Sequence, residues 1–411
     1  MSIQDIESGL TSADWHTRLK WAENMDFTPT LDQVERGLMD ERWGVSLAWS
    51  LRTDYHPTPR IILMGLQSVH ATTRKAWAKR RDYPVEPEYV DVGVSDENWE
   101  IRYIWAERMD FSPTHKQVMV GLNDENPNVS LAWARREDYV PTLELVKVGM
   151  MSPHKEVAET WARRMDFTPT PELIEKGLTD EDAGVRMYWA ERTDFTPTAL
   201  QIERGLTDAV WSVRSSFVGR LDITLTPEQV ERGLNDESFP VRISLARNKN
   251  CTFSSQQIEK GLTDEVAEVR EAWAKRTDYK ATLEQIERGM RDDSWRVRRA
   301  WAQRRDFTPT PELIALGLSD PDSEVRRLWV EREDCTVSAE QVRAGMKERN
   351  VAIKAAWILR KEYVPTPTQI RNGLKVKNTV LRAAWEKKVT SMHQETLEAS
   401  MSSEWSMTSV L

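Results

Sequence analysis

Cysteine is scarce in this chain: Cys251 and Cys335 are the two among 411 residues. Two are too few for a disulfide framework or a cysteine zinc site. No apolar run approaches the ~18 residues of a membrane-spanning helix. The opening MSIQDIESGL has neither a basic nor an apolar signal-like stretch. A chain without a membrane partner, placed in the cytoplasm, is therefore expected. Positive charge is also short, because 57 Lys+Arg against 66 Asp+Glu leave a net charge of −9. Such a balance disfavours non-specific attraction to phosphate backbones. The histidines His16, His56, His70, His115, His154 and His393 share no metal-ligand spacing. A nucleophile elbow, an HExxH motif and a phosphate-cradling glycine loop are all missing. The sequence thus predicts no catalytic residue, no metal and no cofactor.

What the chain has in quantity is tryptophan in register. Trp21, Trp49, Trp77, Trp105, Trp133, Trp161 and Trp189 recur every 28 residues, and Trp273, Trp301, Trp329, Trp357 and Trp385 keep the count. Phe217 and Leu245 fill the two remaining beats. An unbroken period of this kind marks a tandem repeat, which grows by adding units and has no central core. The expected fold is all-α: an α-solenoid, a superhelical array of about fourteen 28-residue helix-turn-helix repeats. It would occupy residues 1–390 as a single domain, with 391–411 as a polar C-terminal tail or cap. That tail is either disordered or a short helix setting Trp405 on the last repeat.

Each repeat divides in two. A capping box, such as Thr30 with Gln33 or Thr198 with Gln201, starts a short helix A. Helix A carries a glycine late in its course, from Gly9 and Gly37 through to Gly373. A helical glycine costs roughly 0.5–1 kcal/mol relative to alanine, so its recurrence predicts a bulky neighbour, the periodic Trp, lying on bare backbone. Helix B follows, with an apolar stripe such as Val269, Trp273 and Ala274, and closes on Arg-x-Asp, as at Arg192 and Asp194. Both cysteines stand where other repeats carry Phe27, Tyr55 or Phe111, as small core substitutes. The beats at Phe217 and Leu245, together with Gly219, Asn248 and Asn250, predict a softer joint near residues 210–255.

The segment TDEVAEVREAWAKR around Asp264 and Arg270 resembles the second helix of HEAT repeats. The resemblance extends over residues 1 to about 390, in a HEAT-like family with a short 28-residue unit. It implies an Asp/Arg ladder between adjacent repeats and a concave surface lined by the second helices. The shorter unit and the periodic Trp depart from the usual pattern, so curvature and pitch are not implied.

Recognition is expected from side chains that vary while the scaffold does not. Two residues either side of the Trp lie on one face of helix B, giving a concave, mildly positive candidate of Lys75, Lys79, Arg135, Arg163, Arg247, Lys275, Arg299 and Arg327. Trp43, Trp99, Trp211 and Trp295, like Trp15, begin helix B in some repeats only and are aromatic contact candidates. On helix A, Leu63, Met64, Met119, Val120 and Val148 replace the usual Glu-Arg, an apolar interface candidate for a partner or a second copy. A solvated face and ordinary packing are the competing readings of these stripes. The sequence therefore points to a non-catalytic protein-binding scaffold or inhibitor. The alternative is a nucleic-acid binder with a cleft like that of HEAT-like DNA glycosylases. An enzyme would require a grooved carboxylate without an arginine partner.

Overall fold

The structure, a computed structural model, describes residues 2–408, with side chains placed to residue 394. The described residues form 28 helices and no strand. They alternate between an eight-residue helix A, as at Pro59–Leu66, and a nine-residue helix B, as at Trp99–Glu107. The chain forms two compact units, Met1–Val213 and Arg214–Leu411. Within each unit successive B helices pack more closely than successive A helices, which puts the B helices on the inner side of each stack. The last helix runs Thr379–Thr408, so the backbone of residues 391–408 prolongs a B helix. The expected packing of Trp405 lies outside the described side chains.

Helices this short do not persist alone, so their ends and neighbours must hold them. The predicted capping boxes form: Thr30 Oγ1 accepts from Gln33 N at 3.3 Å, and Gln33 Oε1 accepts from Thr30 N at 2.9 Å. Thr114, Thr198, Thr226, Thr282 and Thr366 do the same with their glutamines. Some B helices are capped by Asp14, Asp182 and Asp322, or by Asn98, Asn126 and Asn350, whereas those that follow Arg42, His70, His154, Ser238, Val266 and Ser294 have no side-chain cap. At its far end the chain turns extended, as at Arg192, and the orphaned carbonyls there await partners.

The indoles are interior. Trp77, Trp105, Trp133, Trp161, Trp189, Trp273 and Trp329 have no exposed surface. Each lies on the glycine of its own helix A: a Cβ built on Gly65, Gly93 or Gly261 would fall within 3.0 Å of the indole of Trp77, Trp105 or Trp273. The glycine therefore makes room for the ring. Gly233 differs, since a Cβ there would meet Leu245 at an ordinary 3.4 Å. Each ring can bury about 150–250 Å², an upper bound of roughly 4–6 kcal/mol per repeat. The indole N–H of those seven Trp has no acceptor, in rings that lie against the helix-A glycines. Burying that donor costs about 1–3 kcal/mol, which offsets part of the apolar gain.

Candidate functional site

Three polar ladders consume most of the recurring charged residues, and what they leave over defines the surface open to a partner. In the first ladder, Arg74 clasps Asp96 of the next repeat through Nε at 2.7 Å and Nη2 at 3.0 Å. Its Nη1 donates to the Ser68 carbonyl of its own repeat at 3.0 Å. Arg18–Asp40, Arg102–Asp124, Arg186–Asp208, Arg214–Asp236, Arg242–Asp264, Arg270–Asp292 and Arg298–Asp320 repeat the clasp. Arg326 uses Glu348 instead. The ladder Asp also fastens the A–B turn, as Asp96 Oδ1 accepts from Asn98 N at 2.8 Å. Where the Arg is replaced, the facing residue usually changes too: Ser46 with Ser68, Ser130 with Ser152, Lys354 with Val376. Ala158 leaves Asp180 to Lys176, which donates at 3.0 Å.

The second ladder is the Arg-x-Asp that closes helix B, and the sequence did not reveal its reach. Arg52 is buried, its Nη1 donating to the carbonyls of Ala22 at 3.1 Å and Asn24 at 2.6 Å, one repeat back. It thus satisfies the last turn of the preceding B helix, where a cation also suits the helix dipole. Its guanidinium sits between Phe27, 4.8 Å away, and Trp49, 5.4 Å away. Arg108 and Arg332 are wholly buried in the same role. The hydrogen bonds from Arg80 and Arg108 hold the carboxyls of Asp82 and Asp110 below their usual range. Burial pushes the phenol of Tyr139, which lies beside Arg164, up to about 12.

The predicted soft joint needs one correction. Gly219 does not stand in the Arg-x-Asp register; Arg220 and Asp222 do, and they pair at 2.6 Å. Asn248 does replace the arginine, yet its Nδ2 donates to the matching carbonyls, Val218 at 2.7 Å and Arg220 at 3.2 Å. The remaining difference in this repeat is the seat of the periodic residue, where Leu245 stands off Gly233 at a distance that an indole does not leave.

The third ladder runs along helix A. Glu7 accepts from Gln33 at 2.6 Å and from Arg36 at 2.8 Å, and these two hold its carboxyl below its usual range. Glu175 with Gln201 and Arg204, and Glu259 with Gln285 and Arg288, repeat it. Leu63, Met64, Met119, Val120 and Val148 stand where this ladder is replaced. Val120 is exposed and the other four are half-buried; Met119, Val120 and Val148 are on neighbouring A helices, and Pro87–Val94 separates them from Leu63 and Met64.

The basic candidates on helix B separate into two groups. Lys75 pairs with Glu100 at 2.5 Å, Lys275 with Glu271 at 2.6 Å, and Arg327 with Glu324 and Glu331 at 2.8 Å. Arg163 lies on the Tyr188 ring, 3.9 Å from its centroid. Lys79, Arg135, Arg247 and Arg299 have no carboxylate partner among the described residues. In the second unit Arg247, Lys249 and Lys275 rim a groove of about 530 Å³ floored by Ala246 and Ala272. A larger groove of about 910 Å³ runs beside Arg327, Leu359 and Lys387. On the same face Glu159 is half-buried, and burial together with the charge of Asp182 raises its pKa. Of the aromatic candidates, Trp43 is 59% exposed, Trp99 41%, Trp211 48% and Trp295 40%. The sequence reading missed Phe239, which holds the same register and is 46% exposed. Its position six residues before Leu245 was the available signal.

Repeated helix pairs stacked on neighbouring pairs, with framework ladders between them, define the class: an α-helical tandem-repeat protein. No family model matches the chain, and no curated protein does. Among solved structures, it is similar to a leucine-rich repeat variant with a novel repetitive protein structural motif, at 22% identity. That match covers 53% of this chain and 81% of the other, with a TM-score of 0.39. Among the described residues no helix is long and apolar enough to cross a membrane, and no group of three or more His, Cys, Asp or Glu could hold a metal ion.

Proposed function

We propose that this chain is a HEAT-like, non-catalytic cytoplasmic scaffold or inhibitor that binds an acidic protein segment along the inner face of its B helices. One observation carries the reading. The arginines that recur are committed to the ladders, whereas Arg247, Lys249 and Lys275 stand round an alanine-floored groove. Small floor residues let a partner backbone approach, and Arg247 and Lys249, which have no carboxylate partner among the described residues, supply charge complementarity beside Lys275, whose pairing with Glu271 is partly exposed. The natural test is an acidic peptide titrated against the protein and against Arg247→Glu/Lys275→Glu. Binding that weakens ten-fold or more in the variant supports the assignment, and unchanged binding removes it.

The second reading, a nucleic-acid binder, draws on the same cations together with Lys79, Arg135 and Arg299. It predicts a steep loss of affinity for short DNA or RNA between 50 and 200 mM salt. No mobility shift at low salt would dispose of it.

A further inference from the structure

The turn edge of the repeats carries a feature that the helix-B reading does not use. At the first residue of helix B, Trp15 receives a cation from the next repeat: the Arg42 guanidinium lies 6.0 Å from the ring centroid. Glu41, beside Arg42, is within 4.0 Å of that guanidinium. The constellation is therefore an aromatic ring, a carboxylate 26 residues on, and a cation at the residue after it. Trp15 is half-buried.

The same register recurs without the cation. Trp99 is followed by Glu125 and Asn126 in the first unit, and Phe239 by Glu265 and Val266 in the second. Glu125 is 89% exposed and Glu265 85%, at the side-chain level. Both also reach a ladder arginine, Arg102 at 3.5 Å and Arg242 at 3.6 Å. Those arginines already hold Asp124 and Asp264, so each rung carries two carboxylates for one guanidinium and is net negative. A large aromatic left open at a negative edge is matched by a cation with a flat, weakly hydrated face.

We propose that Trp99 with Glu125, and Phe239 with Glu265, each bind an arginine side chain of a basic polypeptide segment, repeating in trans what Arg42 does on Trp15 in cis. This proposal stands apart from the reading of the helix-B face, and the two bind opposite charges.

The test is fluorescence anisotropy with a labelled arginine-rich peptide at about 0.15 M salt, where diffuse surface attraction is largely screened. Trp99→Ala/Phe239→Ala leaves the net charge unaltered and is expected to weaken binding two- to five-fold per site, the size of an exposed cation–π contact. Glu125→Gln should weaken it where Glu228→Gln, an exposed carboxylate elsewhere, does not. Asn126→Arg should lay a guanidinium over Trp99 and block the peptide there. Arg42 itself begins its helix without a side-chain cap, so arginine is tolerated at this position. Thermal unfolding confirms that each variant is folded. Wild-type affinity in the alanine and Asn126→Arg variants would overturn the proposal, as would equal losses from Glu125→Gln and Glu228→Gln. Single-stranded DNA binding that depends on Trp99 would overturn it as well.

Discussion

Gly233 and Gly261 hold the same register under different neighbours, Leu245 and Trp273. Gly261→Ala drives a Cβ into the indole and is expected to cost about 2–3 kcal/mol through overpacking. Gly233→Ala has room and should gain up to about 1 kcal/mol from helix propensity. Urea midpoints of the two variants check this, and equal shifts would contradict the steric account. The identity of the periodic residue was legible in the sequence because a helical glycine needs a reason. The unsatisfied indole N–H was not, since hydrogen-bond partners depend on where the ring edge points.

At the level of one helix and its neighbour, Arg276 shows how the closing motif works. Its Nη1 donates to the carbonyls of Ala246 and Asn248, both at 2.8 Å, while Asp278 neutralises it. Arg276→Asn alone should strand Asp278 and destabilise the fold. Arg276→Asn/Asp278→Asn copies the natural pair at Asn248 and Asn250 and is expected to recover most of the loss. Thermal unfolding of both decides the matter: a double variant as unstable as the single one would mean that the ring sandwich, not the carbonyl bonds, is what counts. Amide exchange should be faster in Pro227–Leu234 and Phe239–Arg247 than in Leu283–Met290 and Trp295–Gln303, because Leu245 fills its seat less tightly than Trp301. Helix type and repeat length were readable here from capping boxes and period. The reach of the closing arginine was hidden, because Arg192 and Asp194 look like a local pair while the arginine's other donors act one repeat away. The basic stripe was legible as a face, but which cations are already paired depends on rotamers that no spacing encodes.

For the molecule as a whole, the depressed carboxylates set an acid limit. Asp82 and Asp110 sit below the unfolded value of about 3.9 because Arg80 and Arg108 bond them. Their stabilisation is complete above that value and is lost as the pH falls through the depressed folded pKa values. The melting temperature should thus be flat from about pH 7 to 5 and drop steeply below about 4. A fall beginning near pH 6 would point to other groups. Replacing Leu63, Met64, Met119 and Val120 by Glu or Lys tests the helix-A patch: a dimer or captured partner should be lost, and an unaltered sedimentation profile and partner set would count against it. The Arg–Asp clasp has a genealogical consequence. Seams that exchanged Arg for Ser did so on both sides, as at Ser46 and Ser68, where Ser46 now bonds Thr73 Oγ1 at 2.9 Å. The modules are therefore keyed to their neighbours. Shuffling that joined the Ser46 block directly to the one bearing Asp96 would leave that carboxylate to its own turn, bonded to Asn98 N but without its arginine, so the order of the blocks matters along with their content.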